Sequence, residues 1–595
     1  MNYRSNILSL CLSGHGFSGA LFVDGNLKVA TTLERITRIK NDILLPITSQ
    51  DLKDFGWKSN PNIYKNSIDL PFDFKINPEN IDFEKNVKFQ SLLKYILDES
   101  RVRIKDLDCV VYSYRFVKQA KKFFEKFSPN AEFLSPEHHL SHACQAFFTS
   151  GFEEAAIMIV DGQGVPMDRT FGDQLSGCIG FGKNNDIEIC EEIPVASSLG
   201  SMYSSFTSRI GFKTNEEGKT MGLAPYGTDS IYKHIKKELK FDVNKYNFKN
   251  LKKIISNKFK PNKFSYILPN YSKLLKLYPQ RSKKDPIEQF HMDLAFAVQK
   301  LTEDVMIHLA NKIYNKTRSN YLCIAGGVGL NCVANYQVLK NSPFKEIYIH
   351  PNPGDNGLVV GQALWAYNLD LKKTRKYVAK DDYLGKKYLN KDFQLAFKYL
   401  KKFSNIKYEK CNNFDNLYSK VAHDISNGKI VSWFQGRSEF GPRALGNRSI
   451  LADPRRKDMK DILNSRVKFR ESFRPFTPSV LEEYCEEYFD LKFPSPFMLH
   501  AAYVKKNKRK MIPAITHVDN TARIQTVSKK SNKHYYNLIQ KFNSLTGTPM
   551  VLDTSFNIAG EPIVETPLDA IKCFLSTDID VLGINNFYIQ KINDK

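Results

Sequence analysis

Twice in this chain an apolar stretch runs into a glycine-marked turn and is followed by a second apolar stretch. Residues 7–12 are apolar, Ser13-Gly14-His15-Gly16 turns, and residues 20–23 are apolar again before Asp24-Gly25. The same grammar returns at residues 156–160, Asp161-Gly162-Gln163-Gly164 and residues 175–182. A two-residue Asp-Gly turn folds adjacent strands into a hairpin. Two half-domains that each open in this way predict an α/β fold with a cleft between its halves. The length of 595 residues exceeds what one hydrophobic core supports, so a further domain is expected.

In residues 289–314 the positions Leu294, Ala297, Val298, Leu301, Val305 and Leu309 form one helical stripe. Residues 321–325 then read as a buried strand ending in Gly326-Gly327. We place a first domain at 1–366 with a lysine-rich insertion at about 228–290, a polar linker at 367–385, and a second α/β domain at 386–595. No apolar stretch reaches the length of a membrane span, and the first residues lead into a strand rather than a signal peptide. A cytoplasmic location is expected. The ten cysteines are scattered without a C-x-x-C pair, so reduced, non-catalytic thiols are expected. A formal charge of +24 raises the question of nucleic acid. The lysines of the insertion, however, alternate with Phe, Tyr, Ile and Asn, as on solvated helices with apolar undersides. Nucleic acid is therefore disfavoured, while the positive field would attract phosphorylated substrates.

Several motifs carry chemistry. His138 and His142 have the i, i+4 spacing that points two imidazoles the same way on a helix, as a chelating pair or as neighbours on one surface face. Asp161 ends an apolar strand, and Asp355 lies between glycines. Two imidazoles and two carboxylates would suit Fe(II), Mn or Zn. Gly326-Gly327, between a strand and a helix, offers backbone N–H groups to an anion or nucleotide. The segment 436–449 sets Arg437, Arg443 and Arg448 among glycines after the apolar run 430–434, an arrangement suited to gripping phosphate from a loop. Strand-like alternation puts Lys468 and Arg470 on one face, and Ser555 and Asn557 on another. Two cations and two neutral hydrogen-bonding groups suit a triphosphate, with Arg474 and Arg523 as further phosphate candidates. His15, in a glycine-flanked turn, is poised as a general base, and Lys40 could stabilise developing negative charge.

These motifs, in this order from His15 to about Glu565, resemble the NodU/CmcH family of O-carbamoyltransferases. The resemblance implies an actin-like (ASKHA, sugar-kinase-like) two-lobed N-terminal domain and a YrdC-like C-terminal domain. It implies that the second domain joins carbamoyl phosphate and ATP, with Mg(II), into carbamoyl adenylate. The first would pass the carbamoyl group to a hydroxyl of an antibiotic, sugar, oligosaccharide or other natural product. His15 and Lys40 would then be catalytic. His138, His142, Asp161 and Asp355 would hold the metal, Fe(II) first. Lys219, Gly326, Gly327 and Asn331 would contact the nucleotide in the first domain. Arg437, Arg443, Arg448, Lys468, Arg470, Arg474, Arg523, Ser555 and Asn557 would serve ATP and carbamoyl phosphate in the second. A homodimer would be in keeping with the family. The chain departs from the family pattern at Val165, where an acidic residue is typical, at Gly16, where Asp is common, and at Gly329, where Ala is usual. A tRNA threonylcarbamoyl-modification protein and a silent nucleotide-binding regulator are the alternatives.

Overall fold

The computed structural model describes residues 5–13, 16–42, 44, 82–113, 117–164, 175–213, 215–239, 241–242, 247–248 and 278–592. His15, Val165 and the central part of the lysine-rich insertion lie outside the described residues. The chain divides into two compact units, Met1–Ala379 and Lys380–Lys595. Both are built on mixed α/β sheets.

The first unit contains two five-stranded sheets of the same topology. One joins β1 (Asn6–Ser13), β2 (Gly16–Val23), β3 (Asn26–Thr32), β4 (Cys109–Tyr112) and β5 (Glu132–Leu134) in the order β3-β2-β1-β4-β5. The other joins β6 (Glu154–Gly164), β7 (Leu175–Lys183), β8 (Asp186–Pro194), β9 (Tyr321–Ala325) and β10 (Glu346–Ile349) in the order β8-β7-β6-β9-β10. In each, the first three strands meander antiparallel and the last two join the central strand in parallel. The two strand–turn–strand motifs of the sequence are therefore the openings of two equivalent sheets. Asp24 and Gly25 turn the β2–β3 hairpin with φ of 52° and 76°, the left-handed pair that such a loop requires.

The helix Leu358–Leu364 knits these halves together. Gln362 Oε1 accepts from Ser9 Oγ of β1 at 3.1 Å, and Gly361 lies against the helix His138–Ser150, where a Cβ would sit 1.9 Å from the Ser141 carbonyl. The chain stays with this unit beyond residue 367, into the stretch where the sequence suggests a linker. A π-helical turn, Trp365–Asp370, ends the helix, and Arg375 then donates to the carbonyls of Phe148, Phe152 and Phe147 at 2.9, 2.6 and 2.8 Å.

The second unit is one nine-stranded sheet. Its strands are β11 (Ile406–Lys410), β12 (Val431–Phe434), β13 (Arg448–Ala452), β14 (Thr477–Leu481), β15 (His500–Tyr503), β16 (Thr521–Val527), β17 (Met550–Ser555), β18 (Val581–Ile584) and β19 (Phe587–Lys591). Their order is β11-β19-β18-β12-β13-β17-β14-β16-β15. The helices Phe414–Ser426 and Lys533–Thr546 pack over it around Trp433, Leu481 and Val551. All ten cysteines are free thiols and nine are buried. Among the described residues no helix is long and apolar enough to cross a membrane.

Candidate functional site

Three parallel strands of the first unit deliver one cluster of side chains at their carboxyl ends, where open α/β sheets bind ligands. Asp161 lies near the end of β6, Gly326-Gly327 follows β9, and the loop after β10 carries Asp355. The helix His138–Ser150 supplies the imidazoles. Glu137 caps it by accepting the Leu140 N–H at 2.6 Å, which fixes His138 at its first position and His142 one turn later. The two rings lie 4.9 Å apart. His138 Nε2 is 3.1 Å from Asp161 Oδ2 and 3.9 Å from Asp355 Oδ1, and His142 Nε2 is 3.8 and 3.6 Å from the same two oxygens. One donor atom from each of the four residues falls within a 4.8 Å span.

The electrostatics match a cation site. Burial works against charge on His138, but the hydrogen bond to Asp161 and the charges of Asp355 and Asp161 outweigh it and raise its pKa to about 9. Burial likewise works against ionised Asp161, and the His138 hydrogen bond with the neighbouring imidazoles overcomes it, holding the acid below the usual range. His142 Nε2 is buried without a hydrogen-bond partner. An orphaned imidazole nitrogen facing two carboxylates is a fit for a divalent ion. Glycines permit this approach. Gly326 has φ of +91°, and a Cβ there would sit 2.2 Å from the Val160 carbonyl. The Gly327 N–H, expected to await an anion, instead donates to Asp161 Oδ1 at 2.9 Å and orients that carboxylate.

The second unit builds the opposite kind of cluster. Lys468 reaches across to the end of β17, its ammonium donating to Ser555 O at 2.5 Å, Asn557 Oδ1 at 2.8 Å and Asn557 O at 3.1 Å. Ser555 Oγ donates to Asn557 Oδ1 at 2.7 Å. Burial, and then the charges of Arg470 and Arg474, push Lys468 well below the ordinary lysine range. Burial, followed by Arg474 and Arg523, lowers Arg470 to about 9. Arg470 is held by Asn464 Oδ1 at 3.0 Å and lies over Phe476, Arg523 donates to Thr477, and Glu471 stands 3.7 Å from Arg474. The strand alternation expected at 468–470 is not what joins these cations. Lys468 ends a π-helical turn, Asn464–Lys468, and Phe469 turns the chain with φ of +43°.

Two family descriptions match this chain, "Carbamoyltransferase N-terminus" over residues 15–364 and "Carbamoyltransferase C-terminus" over residues 422–591. The chain belongs to the carbamoyltransferase family. It is 36% identical to the uncharacterised protein sll1178 of Synechocystis sp., over 99% of this chain and 97% of that one. The nodulation protein NolNO of Sinorhizobium fredii is 33% identical over 84% of this chain and 74% of its own, and NolO of Bradyrhizobium diazoefficiens is 36% identical over 76% and 78%. Among solved structures, that of T. kodakarensis HypF aligns with 63% of this chain and 49% of its own at 13% identity and a TM-score of 0.32, too distant to carry an argument.

The remaining site candidates of this carbamoyltransferase are dispersed. Lys40 is exposed beyond the short helix Leu33–Thr37. Gly16 opens β2 at φ of +144°, with Asn356 Oδ1 3.2 Å from where a Cβ would stand. Lys219 pairs with Glu216 at 2.6 Å. Asn331 caps the helix Cys332–Asn341 through the Ala334 N–H, and its amide exchanges two hydrogen bonds with Gln299. Arg443 is half-buried in the glycine-rich loop.

Arg437 and Arg448 depart from the phosphate-gripping arrangement expected of them. Arg437 donates to the carbonyls of Gly385 and Leu384, at 2.5 and 3.0 Å. Arg448 is fully buried and donates to the carbonyls of Gln435 and Asn447, at 2.6 and 2.9 Å. A buried guanidinium needs acceptors for its N–H groups, and here carbonyls serve both of its terminal nitrogens. Sequence reasoning overlooked Glu439, whose Oε1 accepts the N–H groups of Leu445, Asn447 and Arg448 and so shapes the same loop. The only available signal was an acid amid the arginines.

Proposed function

We propose that this protein is an ATP-dependent O-carbamoyltransferase working in two steps, one in each unit. In this reading the second unit is a YrdC-like domain. It joins carbamoyl phosphate and ATP, as its Mg(II) complex, into carbamoyl adenylate: one water releases phosphate from carbamoyl phosphate, and the oxygen of the resulting carbamate attacks the α-phosphorus of ATP and expels pyrophosphate. The observation that carries it is the buried Lys468 ammonium, seated on Ser555 and Asn557 with Arg470, Arg474 and Arg523 crowded beside it. Cations that lower one another's pKa in this way are stabilised by a polyanion such as a triphosphate. Arg443 belongs to the same reading as a further phosphate contact.

The first unit, read as an actin-like two-lobed domain on the strength of its two equivalent sheets, transfers the carbamoyl group to an acceptor hydroxyl. His138, His142, Asp161 and Asp355 would hold a divalent ion, Fe(II) for preference, with Mn or Zn as the other ions this donor set suits. Bound there, the ion supplies Lewis-acid polarisation of the carbamoyl carbonyl. The protein's own groups do the rest. His15 takes the proton of the acceptor hydroxyl, Lys40 stabilises developing negative charge, and Lys219 and Asn331 orient the nucleotide beside Gly326-Gly327, whose own N–H groups are taken by Pro353 and Asp161. Shelter from water matters, since carbamoyl phosphate and an acyl adenylate both hydrolyse readily. The acceptor is a hydroxylated small molecule or glycan.

The test is to incubate the protein with ATP, carbamoyl phosphate and Fe(II) without acceptor, seeking carbamoyl adenylate by mass spectrometry and pyrophosphate in solution. Formation that Lys468→Ala/Arg470→Ala abolishes supports the first step. ATP binding without any adenylate from the wild-type chain defeats the reading.

A further inference from the structure

We propose that Gln145 is the positioning residue of the metal cluster, fixing one tautomer of His142 and clamping that histidine to the loop that carries Asp355. This rests on the reading of His138, His142, Asp161 and Asp355 as metal ligands.

The hydrogen bonds leave one assignment of the amide. Gln145 is fully buried, three residues after His142 on the same helix. Its Nε2 lies 2.5 Å from the backbone carbonyl of Asn352. A carbonyl oxygen only accepts, so this end of the side chain is the NH2 group. The other end is therefore the oxygen, and it faces His142 Nδ1 at 3.1 Å. An amide oxygen also only accepts, which places the imidazole proton on Nδ1. His142 Nε2 then carries its lone pair into the cluster, where it meets Asp161 and Asp355 and no hydrogen-bond donor. Without Gln145 the proton could reside on Nε2, and that tautomer cannot bind a metal through the nitrogen that points at the site.

The same amide grips the far side of the cluster. Its Nε2 is also 3.1 Å from His350 Nδ1, which accepts the Asn352 N–H at 3.1 Å. His350 is buried, and burial holds it neutral with a pKa lowered to about 4; in the tautomer protonated at Nε2 its Nδ1 accepts from both Gln145 and the Asn352 N–H. Asn352 stands three residues before Asp355. Closure of this loop onto Gln145 needs a glycine beyond it, because a Cβ on Gly357 would lie 1.9 Å from the Asn352 carbonyl and 2.2 Å from Gln145 Nε2. One side chain thus connects the helix that supplies two ligands to the loop that supplies the fourth, across 207 positions of sequence.

The test uses the full chain and Mn(II) alone, with free and bound ion counted by electron paramagnetic resonance and the Tm of the metal-free protein measured in parallel. Gln145→Leu removes all three hydrogen bonds of the amide at similar volume. Should it fail to fold, Gln145→Ser leaves room for water beside Asn352 and His350. Thr149→Val, which deletes a buried hydroxyl bound to the Gln145 carbonyl one turn further along, is the control for general damage to the helix. The expected result is about 10- to 100-fold weaker Mn(II) binding and an altered line shape of the bound ion for the Gln145 variants. The control should bind as wild type does. Wild-type affinity in the Gln145 variants overturns the positioning role, as does an equal loss in Thr149→Val. A wild-type chain that binds none of Mn(II), Fe(II) or Zn(II) overturns the metal reading beneath it, which is a separate outcome.

Discussion

In the first unit two carboxylates face two imidazoles, and the pKa of His138 is drawn up to about 9. In the second, Lys468 and three arginines gather round neutral side chains, and the pKa of Lys468 is driven down. Both clusters are assembled from distant parts of the chain, and their charges have opposite sign. Two carboxylates beside an imidazole nitrogen that meets no donor suit a cation, while crowded buried cations suit an anion. In the proposed two-step reading, the first cluster would take a cation and the second an anion.

The sharpest way to break this comparison is to disable the clusters one at a time. Lys468→Ala/Arg470→Ala should reduce pyrophosphate release by about a thousandfold or more, since removing charge-assisted phosphate contacts costs several kcal/mol in total. Mn(II) binding should be unaltered. Asp161→Asn should do the reverse, weakening Mn(II) binding by about a hundredfold while pyrophosphate release persists. A triple variant that loses both functions, when each parent loses one, would confirm that the clusters act separately. Loss of both functions from either parent would show that they do not. A purely mechanical perturbation comes next. Gly326→Ala would force a side chain onto a backbone at φ of +91° and to within 2.2 Å of the Val160 carbonyl. Strain and overpacking together predict destabilisation of about 3 kcal/mol by urea titration.

The first unit was the more legible in sequence, for physical reasons. A helix converts the spacing of His138 and His142 into proximity without any knowledge of the fold. Asp161 follows an apolar run long enough to read as a strand. The hairpin at Asp24-Gly25 needs only local turn chemistry. Gln145 gave no such signal, because its role depends on a carbonyl 207 residues away. In the second unit the residue types at Lys468, Arg470, Ser555 and Asn557 were readable, but the geometry was not. Period-two alternation presumes a strand, and tertiary packing installed a π-helical turn and a left-handed Phe469 instead. The arginines of the glycine-rich loop mislead for a related reason. Sequence shows guanidinium groups near glycines, but whether they face a ligand or their own carbonyls depends on how the loop closes, and here Glu439 closes it.

The smallest expected effect concerns an acid in the cationic unit. Asp553 is fully buried, and burial, aided by the charge of Glu439, raises its pKa to about 7 against hydrogen bonds from Tyr535, Ser479 and Ser449. Tyr535 and Ser479 donate to Oδ2 at 2.8 and 2.9 Å, while Oδ1 is buried without a partner. An acid whose pKa is higher folded than unfolded binds more protons in the native state between the two values. Its stabilising contribution is therefore complete below about pH 4 and is lost as pH rises through about 7. Between pH 5 and pH 8 this loss amounts to on the order of 2 kcal/mol. Asp553→Asn keeps an oxygen for the two hydroxyls and removes the titration, so the difference in urea midpoint between variant and wild type should move in the variant's favour from pH 5 to pH 8. A difference that stays constant over that range would mean that Asp553 titrates normally. The positive field of the Lys468 cluster would then reach further into the core than the geometry implies.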